Sequence, residues 1–360
     1  MQLNRVSLRN VRIVEEAGFE PGPGFNYVVG SNGSGKTSLL EGLHILSCGS
    51  SFLTKQLNSV IRHDQVSLLA TADYTDPEDN SAHHAGVERG RDGSSRIRVD
   101  REDVARMSDL SRNLPVIALQ PESHQLLGGG PSERRKLLDW GVFHVEHQFM
   151  EAWRDYRRSL AQRNATLKAG GDREAIRLWD PGLAASGERL TAYREAYLEQ
   201  LAPILAQALA SVEFGREVAV ELQRGWNQQY ALAEALDRSR QRDLQYRTTT
   251  VGPHRAELHI RSEGHEIRRV FSRGQQKLFI YVLRLAQAEL LRTQGGKRCL
   301  FLCDDLPAEL DRENCARVVS LLGEAGYQVF ASSVSTPESS LLGTEGRVFH
   351  VEHGKLGQVV

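Results

Sequence analysis

Apolar positions along the chain change rhythm four times. Up to about residue 30 they lean towards alternation: first Leu3, Val6 and Leu8, then Phe25-Asn26-Tyr27-Val28-Val29 after the turn-forming Pro21-Gly22-Pro23-Gly24. This predicts short strands. A helical period follows, with Leu39, Leu40, Leu43 and Leu46 on one face. Strand-like pieces return at 66–72, 97–99 and 116–119, split by the polar stretch 76–95, which reads as solvent-exposed turns. From Pro131 to about Asp243 the segments 134–140, 149–167, 188–209 and 230–240 are rich in Ala, Leu, Glu, Arg and Gln, all strong helix formers. Apolar strand runs resume at 299–303, 327–331 and 348–351. The order predicts an α/β head, residues 1–130 and 246–360, interrupted by a largely helical lobe at 131–245.

One hexapeptide occurs twice, Val142-Phe143-His144-Val145-Glu146-His147 and Val348-Phe349-His350-Val351-Glu352-His353. The first copy continues a helical stretch and the second reads as a terminal strand, so it is not a structural repeat. His144 and His147 share a helix face, but no third metal ligand is marked nearby, which favours packing over coordination.

Composition adds constraints. With 360 residues, 40% hydrophobic and 25% charged, the chain fits one large or two small globular domains and excludes a disordered tail or a disulfide mini-protein. Lys+Arg 45 against Asp+Glu 46 leaves a net charge of -1, so any grip on a polyanion must come from local clustering. Cys48, Cys299, Cys303 and Cys315 form no C-x-x-C pair and read as buried reduced thiols. No stretch approaches the roughly 18 apolar residues of a membrane span, and Met1-Gln2-Leu3-Asn4-Arg5 lacks a signal-peptide h-region. The expectation is a cytoplasmic protein without a membrane segment.

Chemistry enters at Gly30-Ser31-Asn32-Gly33-Ser34-Gly35-Lys36-Thr37, which satisfies G-x-x-x-x-G-K-[ST] between an apolar strand and an amphipathic helix. The glycines let backbone N–H groups converge on a phosphate, and the next helix turns its positive end to the same anion. Lys36 is then the counter-charge for the β- and γ-phosphates of ATP, and the Thr37 hydroxyl a ligand for Mg²⁺. The matching carboxylate comes from Cys299-Leu300-Phe301-Leu302-Cys303-Asp304-Asp305, an apolar strand ending in two acids. Asp304 is the Mg²⁺ candidate, and Asp305 is placed to orient or deprotonate an attacking water. Two acids after a strand also suit a helix N-cap; the phosphate loop tips the balance.

A third motif separates the many folds that share these two. Ser272-Arg273-Gly274-Gln275 precedes a long helix at 278–291, and Glu309-Leu310-Asp311 follows the acids. These resemble the signature motif and D-loop of the ABC-type ATPases. In that family the signature contacts nucleotide bound by the opposite subunit, so the resemblance implies that Ser272, Gly274 and Gln275 act in trans within an ATP-dependent homodimer. By position Gln120 resembles the Q-loop residue, and it equally suits a turn; Ser272 alone equally suits an N-cap. More closely, the whole chain resembles the RecF family, the DNA-repair branch of ABC-type ATPases related to SMC proteins. The resembling pieces are Leu8-Arg9-Asn10-Val11-Arg12, residues 30–41, Gly49-Ser50-Ser51-Phe52, Pro121-Glu122, Gly130-Pro131 with Arg134-Arg135, Val251-Gly252-Pro253-His254-Arg255, and the segments around Ser272 and Asp304. Departures are the missing aromatics near Val11 and Val14, and Ser332-Ser333 where transporters carry a switch histidine.

The resemblance implies an ATP-dependent DNA-binding protein that dimerises on ATP, acts at single-stranded gaps with RecR and RecO type mediators, and hydrolyses ATP slowly to release DNA. Basic clusters in the lobe fit phosphate contacts: Arg134, Arg135, Arg154, Arg157, Arg158 and Arg163, then Arg238, Arg240, Arg242, Arg247 and Arg255 at its return. The interleaved Glu133, Asp139, Glu151 and Asp155 equally suit a solvated helix face. Two other classes stay open on the motifs alone. One is a transporter's nucleotide-binding subunit, which the long helical insert disfavours. The other is an ATP switch that never hydrolyses, kept open by Asp305 standing where relatives carry Glu. An SMC-type arm is excluded, because the insert has no sustained heptads.

Overall fold

The computed structural model describes residues 1–76, 80–306, 310–335 and 346–359. In chain order it forms β1 (Gln2–Val11), β2 (Val14–Phe19), β3 (Phe25–Val29), α1 (Lys36–Cys48), β4 (Ser67–Thr75), β5 (Ala82–Gly90), β6 (Ser95–Val99), β7 (Glu102–Asp103), α2 (Met107–Asn113) and β8 (Val116–Leu119). The insert follows with α3 (Gln125–Gly128), α4 (Pro131–Val145), α5 (Phe149–Lys168), α6 (Arg173–Arg177), α7 (Asp180–Ser211), β9 (Ala219–Gln223), α8 (Leu232–Tyr246), β10 (Glu257–Ser262), β11 (His265–Glu266) and α9 (Ile267–Val270). The chain closes with α10 (Arg273–Gly295), β12 (Leu300–Cys303), α11 (Arg312–Glu324), β13 (Gln328–Ser333), β14 (Arg347–Glu352) and β15 (Lys355–Val359). Two compact units result, Met1–Ser123 with Lys277–Val360, and His124–Gln276.

The first unit holds two sheets. One has the order β2-β1-β4-β5-β6-β7 and is antiparallel throughout. The other has the order β15-β14-β3-β13-β12-β8, parallel except for the terminal hairpin of β14 and β15. Strands buried on both faces read as continuous apolar runs, as Phe25–Val29 and Leu300–Cys303 do. The α1 face of Leu39, Leu40, Leu43 and Leu46 packs into one core with Val6 and Leu8 of β1, Leu68 of β4 and Phe330 of β13. The side chain of buried Gln328 donates to the carbonyls of Leu3 and Gly22 and accepts from the Leu3 N–H, stitching the start of the chain to β13.

One expectation is corrected. The polar stretch 76–95 contains the nine-residue β5, paired antiparallel with both β4 and β6. An antiparallel sheet with one wet face needs few apolar residues. Here Ala85 and Val87 supply the inward face, while Gly86 and the exposed Glu88 lie on the other.

In the second unit the expected helices are present as α4, α5, α7 and α8. A three-stranded sheet, β11-β10-β9, accompanies them, and the unit runs past residue 245 to Gln276 because β10 pairs with β9 and packs on α4. Its polar centre is Arg163 of α5, which the basic clusters offered for phosphate contact but which is fully buried, donating to Asp180 of α7 (2.8 Å), Asp243 of α8 (2.8 Å) and Thr249 (2.9 Å). The hexapeptide takes both expected forms: Val142 to Val145 end α4, with His144 against Trp140 and Phe143, whereas Val348 to Glu352 lie in β14.

Candidate functional site

The phosphate loop continues the parallel ladder of β3 and β13, since the Gly30 N–H donates to the Ser333 carbonyl at 3.2 Å. The chain then turns tightly, with Gly33 and Gly35 at φ +77° and +115°, conformations that favour glycine. At Gly30 a Cβ would sit 2.3 Å from the Val351 carbonyl oxygen and 2.6 Å from Ser34 Oγ, so no side chain fits. Lys36 Nζ donates to the carbonyls of Gly30 (2.8 Å) and Ser31 (3.0 Å), which folds its ammonium over the loop. Ser34 Oγ is buried and has no hydrogen-bond partner among the described residues. An unsatisfied hydroxyl inside a glycine cradle at a helix N-terminus fits a phosphate oxygen as its missing partner.

The carboxylate arrives two strands away. Because β12 lies in parallel register beside β13, Asp304 emerges next to Ser332 at the strand ends. Thr37 Oγ1 is 3.1 Å from both Asp304 carboxylate oxygens, and Ser332 Oγ donates to Asp304 at 2.6 Å. Burial pushes the Asp304 carboxyl above its ordinary range, and the hydrogen bonds from Ser332 and Thr37 pull it part of the way back. A buried carboxylate beside a hydroxyl is a donor set for a hard cation such as Mg²⁺. Asp305 follows with φ +55°, and its N–H donates to Ser332 Oγ at 2.8 Å. A non-glycine residue in the left-handed region costs of order 1 kcal/mol and clusters at functional sites.

These groups line one cavity of about 460 Å³ with Asn32, Gly33, Gly35 and Ser38, and with three residues to which sequence reasoning gave no role: Arg12, Ile13 and Ser332. Arg12 is fixed by a two-pronged ion pair with the fully buried Glu41, onto which Ser51 also donates. Arg12 closes the family-like segment Leu8-Arg9-Asn10-Val11-Arg12, which names no chemistry for it; it reaches the site because β1 and α1 share a core. Ser332 was the legible one, since it occupies the switch position.

The other candidates lie as follows. Gln120 follows β8 with its N–H donating to Ser123 Oγ (2.8 Å), and it is the next residue, Pro121, that lines the cavity. Ser272 caps α10 reciprocally: its Oγ accepts from the Gln275 N–H (3.2 Å) and its N–H donates to Gln275 Oε1 (2.9 Å), a capping box. Ser272 and Gly274 are exposed. Glu309 of the D-loop lies outside the described residues. Of the arginines, Arg134 is spent inside the lobe on Glu257 and on the carbonyls of Leu126, Leu127 and Gly129. Arg240 is likewise held by Asp180 and Asp237 and is nearly buried. Arg135 donates to the Ala256 carbonyl. Arg157, Arg158 and Arg242 are exposed, Arg157 lying over the Trp153 ring at 4.7 Å.

A glycine cradle after a parallel strand, a carboxylate from a strand two places along, and a helical insertion in the mixed α/β head define an ABC-like ATPase head of the SMC kind. The model of the RecF/RecN/SMC N terminal domain matches residues 2–356. Over 357 residues the chain is 39% identical to the DNA replication and repair protein RecF of Thioalkalivibrio sulfidiphilus, covering 99% of both chains. It is 38% identical to that of Erwinia tasmaniensis, covering 99% of this chain and 98% of the relative. The chain belongs to the RecF family of DNA replication and repair proteins, which decides against the transporter subunit. The recombination mediator protein RecF solved with ATP has the same fold, with TM-score 0.90 at 24% identity over 100% of this chain and 98% of that one. An SMC head bound to the winged-helix domain of ScpA aligns at TM-score 0.60 and 14% identity, over 100% of this chain and 97% of that one.

Proposed function

We propose that this chain is an ATP-gated DNA-binding protein of recombinational repair: it dimerises on ATP, acts at single-stranded gaps with RecO and RecR type mediators, and hydrolyses ATP slowly to let go. The observation that carries the reading is the Thr37, Asp304 and Ser332 contact set at the mouth of the glycine cradle. The loop N–H groups, Lys36 and the start of α1 hold the phosphates, with Ser34 Oγ supplying a further polar contact. Thr37 and Asp304 hold Mg²⁺, which when bound neutralises phosphate charge. Asp305, kept in place through Ser332, orients water; its short side chain suits a slow clock more than a fast enzyme.

The exposed, already capped start of α10 supports the dimer. Ser272, Gly274 and Gln275 present a helix N-terminus to solvent, where the phosphates of a second copy's nucleotide would meet it. Relatives named for DNA replication and repair, and a solved neighbour described within the RecFOR pathway, support the DNA and mediator partners.

Sedimentation with and without ATP, and with and without a gapped duplex, tests the reading. ATP should double the mass, and gapped DNA should join only the nucleotide-bound form. Ser272→Arg should stay monomeric while each copy still binds ATP. An unchanged mass in every condition would overturn the proposal.

A further inference from the structure

The second unit contains a cavity of about 630 Å³, remote in sequence from the phosphate loop and lined by Arg238, Arg242, Arg255, Tyr230, Trp226 and Asn227 among others. Helical spacing explains how α8 divides its cations. Arg238 and Arg242 are four residues apart and face the cavity, whereas Arg240 lies between them on the other side, tied to Asp180 and Asp237.

The charges at the cavity are unevenly compensated. Arg238 pairs with Glu234 and lies over the Tyr230 ring, its guanidinium carbon 4.1 Å from the ring centroid. Arg242 donates only to the neutral Thr250 hydroxyl (2.9 Å), and Arg255 reaches only the Thr249 carbonyl (3.5 Å). Neither has a carboxylate at ion-pair distance among the described residues. The nearby Asp243 is turned into the lobe, where Arg163, Ser239 and Thr250 occupy it.

The turn that carries Arg255 is built far more firmly than an idle surface arginine needs. Gly252 has φ +126°, and a Cβ there would sit 2.6 Å from Tyr156 Oη; a Cβ on Gly225 would meet the Gly252 carbonyl at 2.3 Å. The two glycine segments therefore lie back to back, joined by the Gly252 N–H donating to the Gly225 carbonyl (3.1 Å). Arg194, anchored on Asp139, donates to the Pro253 carbonyl, and Arg135 donates to that of Ala256. His254 donates through Nε2 to the Thr249 carbonyl and accepts from Tyr156 through Nδ1; burial pushes it down to about 4, so the ring stays neutral in that role. A firmly held turn that brings one guanidinium without an acid partner to the same cavity as a second, with a third over an aromatic ring, is the arrangement of a phosphate-and-base site. This gives a purpose to Val251-Gly252-Pro253-His254-Arg255, which the nucleotide site does not use.

We propose that this cavity takes one unpaired nucleotide of a DNA strand, its phosphate on Arg242 and Arg255 and its base against the Arg238 guanidinium backed by Tyr230. The size suits one nucleotide, within the usual range of about 300–1,000 Å³ for small-ligand sites. Stacking a base on a guanidinium plane requires a base free of a duplex. The inference rests on the DNA-binding reading above and adds where an unpaired strand is held.

The test uses the full chain with ATP and a fluorescent single-stranded oligothymidine, reading affinity against salt. Each phosphate contact on a single strand contributes about 0.7 to the slope of log affinity against log salt. Arg242→Ala with Arg255→Ala should lower the slope by about 1.4, with ATP binding and the circular dichroism spectrum unchanged. Arg255→Lys should keep most of the slope. Independently of any variant, 5-iodouracil photocrosslinking of the unaltered chain should map to Tyr230 or Trp226. An unchanged slope with crosslinks elsewhere overturns the inference and leaves the DNA reading standing. Complete displacement of the strand by micromolar thymidine monophosphate would also overturn it, in favour of a free-nucleotide site. Failure of the unaltered chain to bind any DNA would remove the DNA reading itself.

Discussion

Ser332 joins the two acids of the site through one oxygen, so its loss has a calculable cost. Its hydroxyl donates to Asp304 at 2.6 Å and accepts the Asp305 N–H at 2.8 Å. A hydrogen bond to a charged group contributes about 1.5–3 kcal/mol net, and at about 1.4 kcal/mol per decade Ser332→Ala should weaken apparent Mg²⁺ affinity about 10- to 150-fold. Residues that orient metal ligands typically cost about 10- to 100-fold when removed, in agreement. A second signature follows from charge. Burial already raises the Asp304 carboxyl, and the Ser332 bond is the first of the two hydrogen bonds opposing that rise. Removing it pushes the carboxyl further up, so the acid limb of the ATPase pH profile should move to higher pH. Ser332→Thr, which keeps a hydroxyl, should restore both. The assay is phosphate release at varied Mg²⁺ and pH, with nucleotide binding in EDTA as the control for folding. An Ala variant with the parental Mg²⁺ requirement and an unmoved acid limb would refute the claim that this hydroxyl sets the carboxylate.

Two further outcomes are expected. Asp304 is raised in the folded state, so the stability it contributes is fully present below its unfolded pKa and is lost as pH rises through the folded value; at neutral pH Asp304→Asn should therefore raise the melting temperature of the nucleotide-free protein while abolishing Mg²⁺-dependent turnover, and a lower melting temperature would contradict this. In the lobe, Arg163→Met leaves Asp180 and Asp243 buried without their shared partner and should cost about 3–5 kcal/mol, visible as early loss of the His124–Gln276 unit in limited proteolysis; adding Asp243→Asn should recover part of it.

The head and the phosphate site were legible in the sequence because their determinants are local. A glycine loop between a strand and a helix, or a four-residue apolar strand ending in acids, encodes its own geometry. β5 was not legible: its pairing partners lie on both sides, and its inward residues are only an alanine and a valine among polar and charged neighbours. Arg12 reaches the site only through tertiary packing on Glu41. Among the lobe arginines, composition could not separate the cations spent on acids within the lobe, Arg134 and Arg240, from Arg242, which α8 turns to a different side from Arg240.

The duplicated hexapeptide supplies a built-in pair of labels. One copy belongs to the unit of residues His124–Gln276, where it winds into the end of α4; the other belongs to the unit that includes Lys277–Val360, where Phe349 and Val351 are buried and His350 and Glu352 are exposed. An antibody raised against the extended hexapeptide should find two epitopes on the unfolded chain. In the native molecule it meets one copy coiled and the other with alternate side chains turned inward. Binding stoichiometry along a denaturant series would thus count, with a single reagent, how many of the two units have opened.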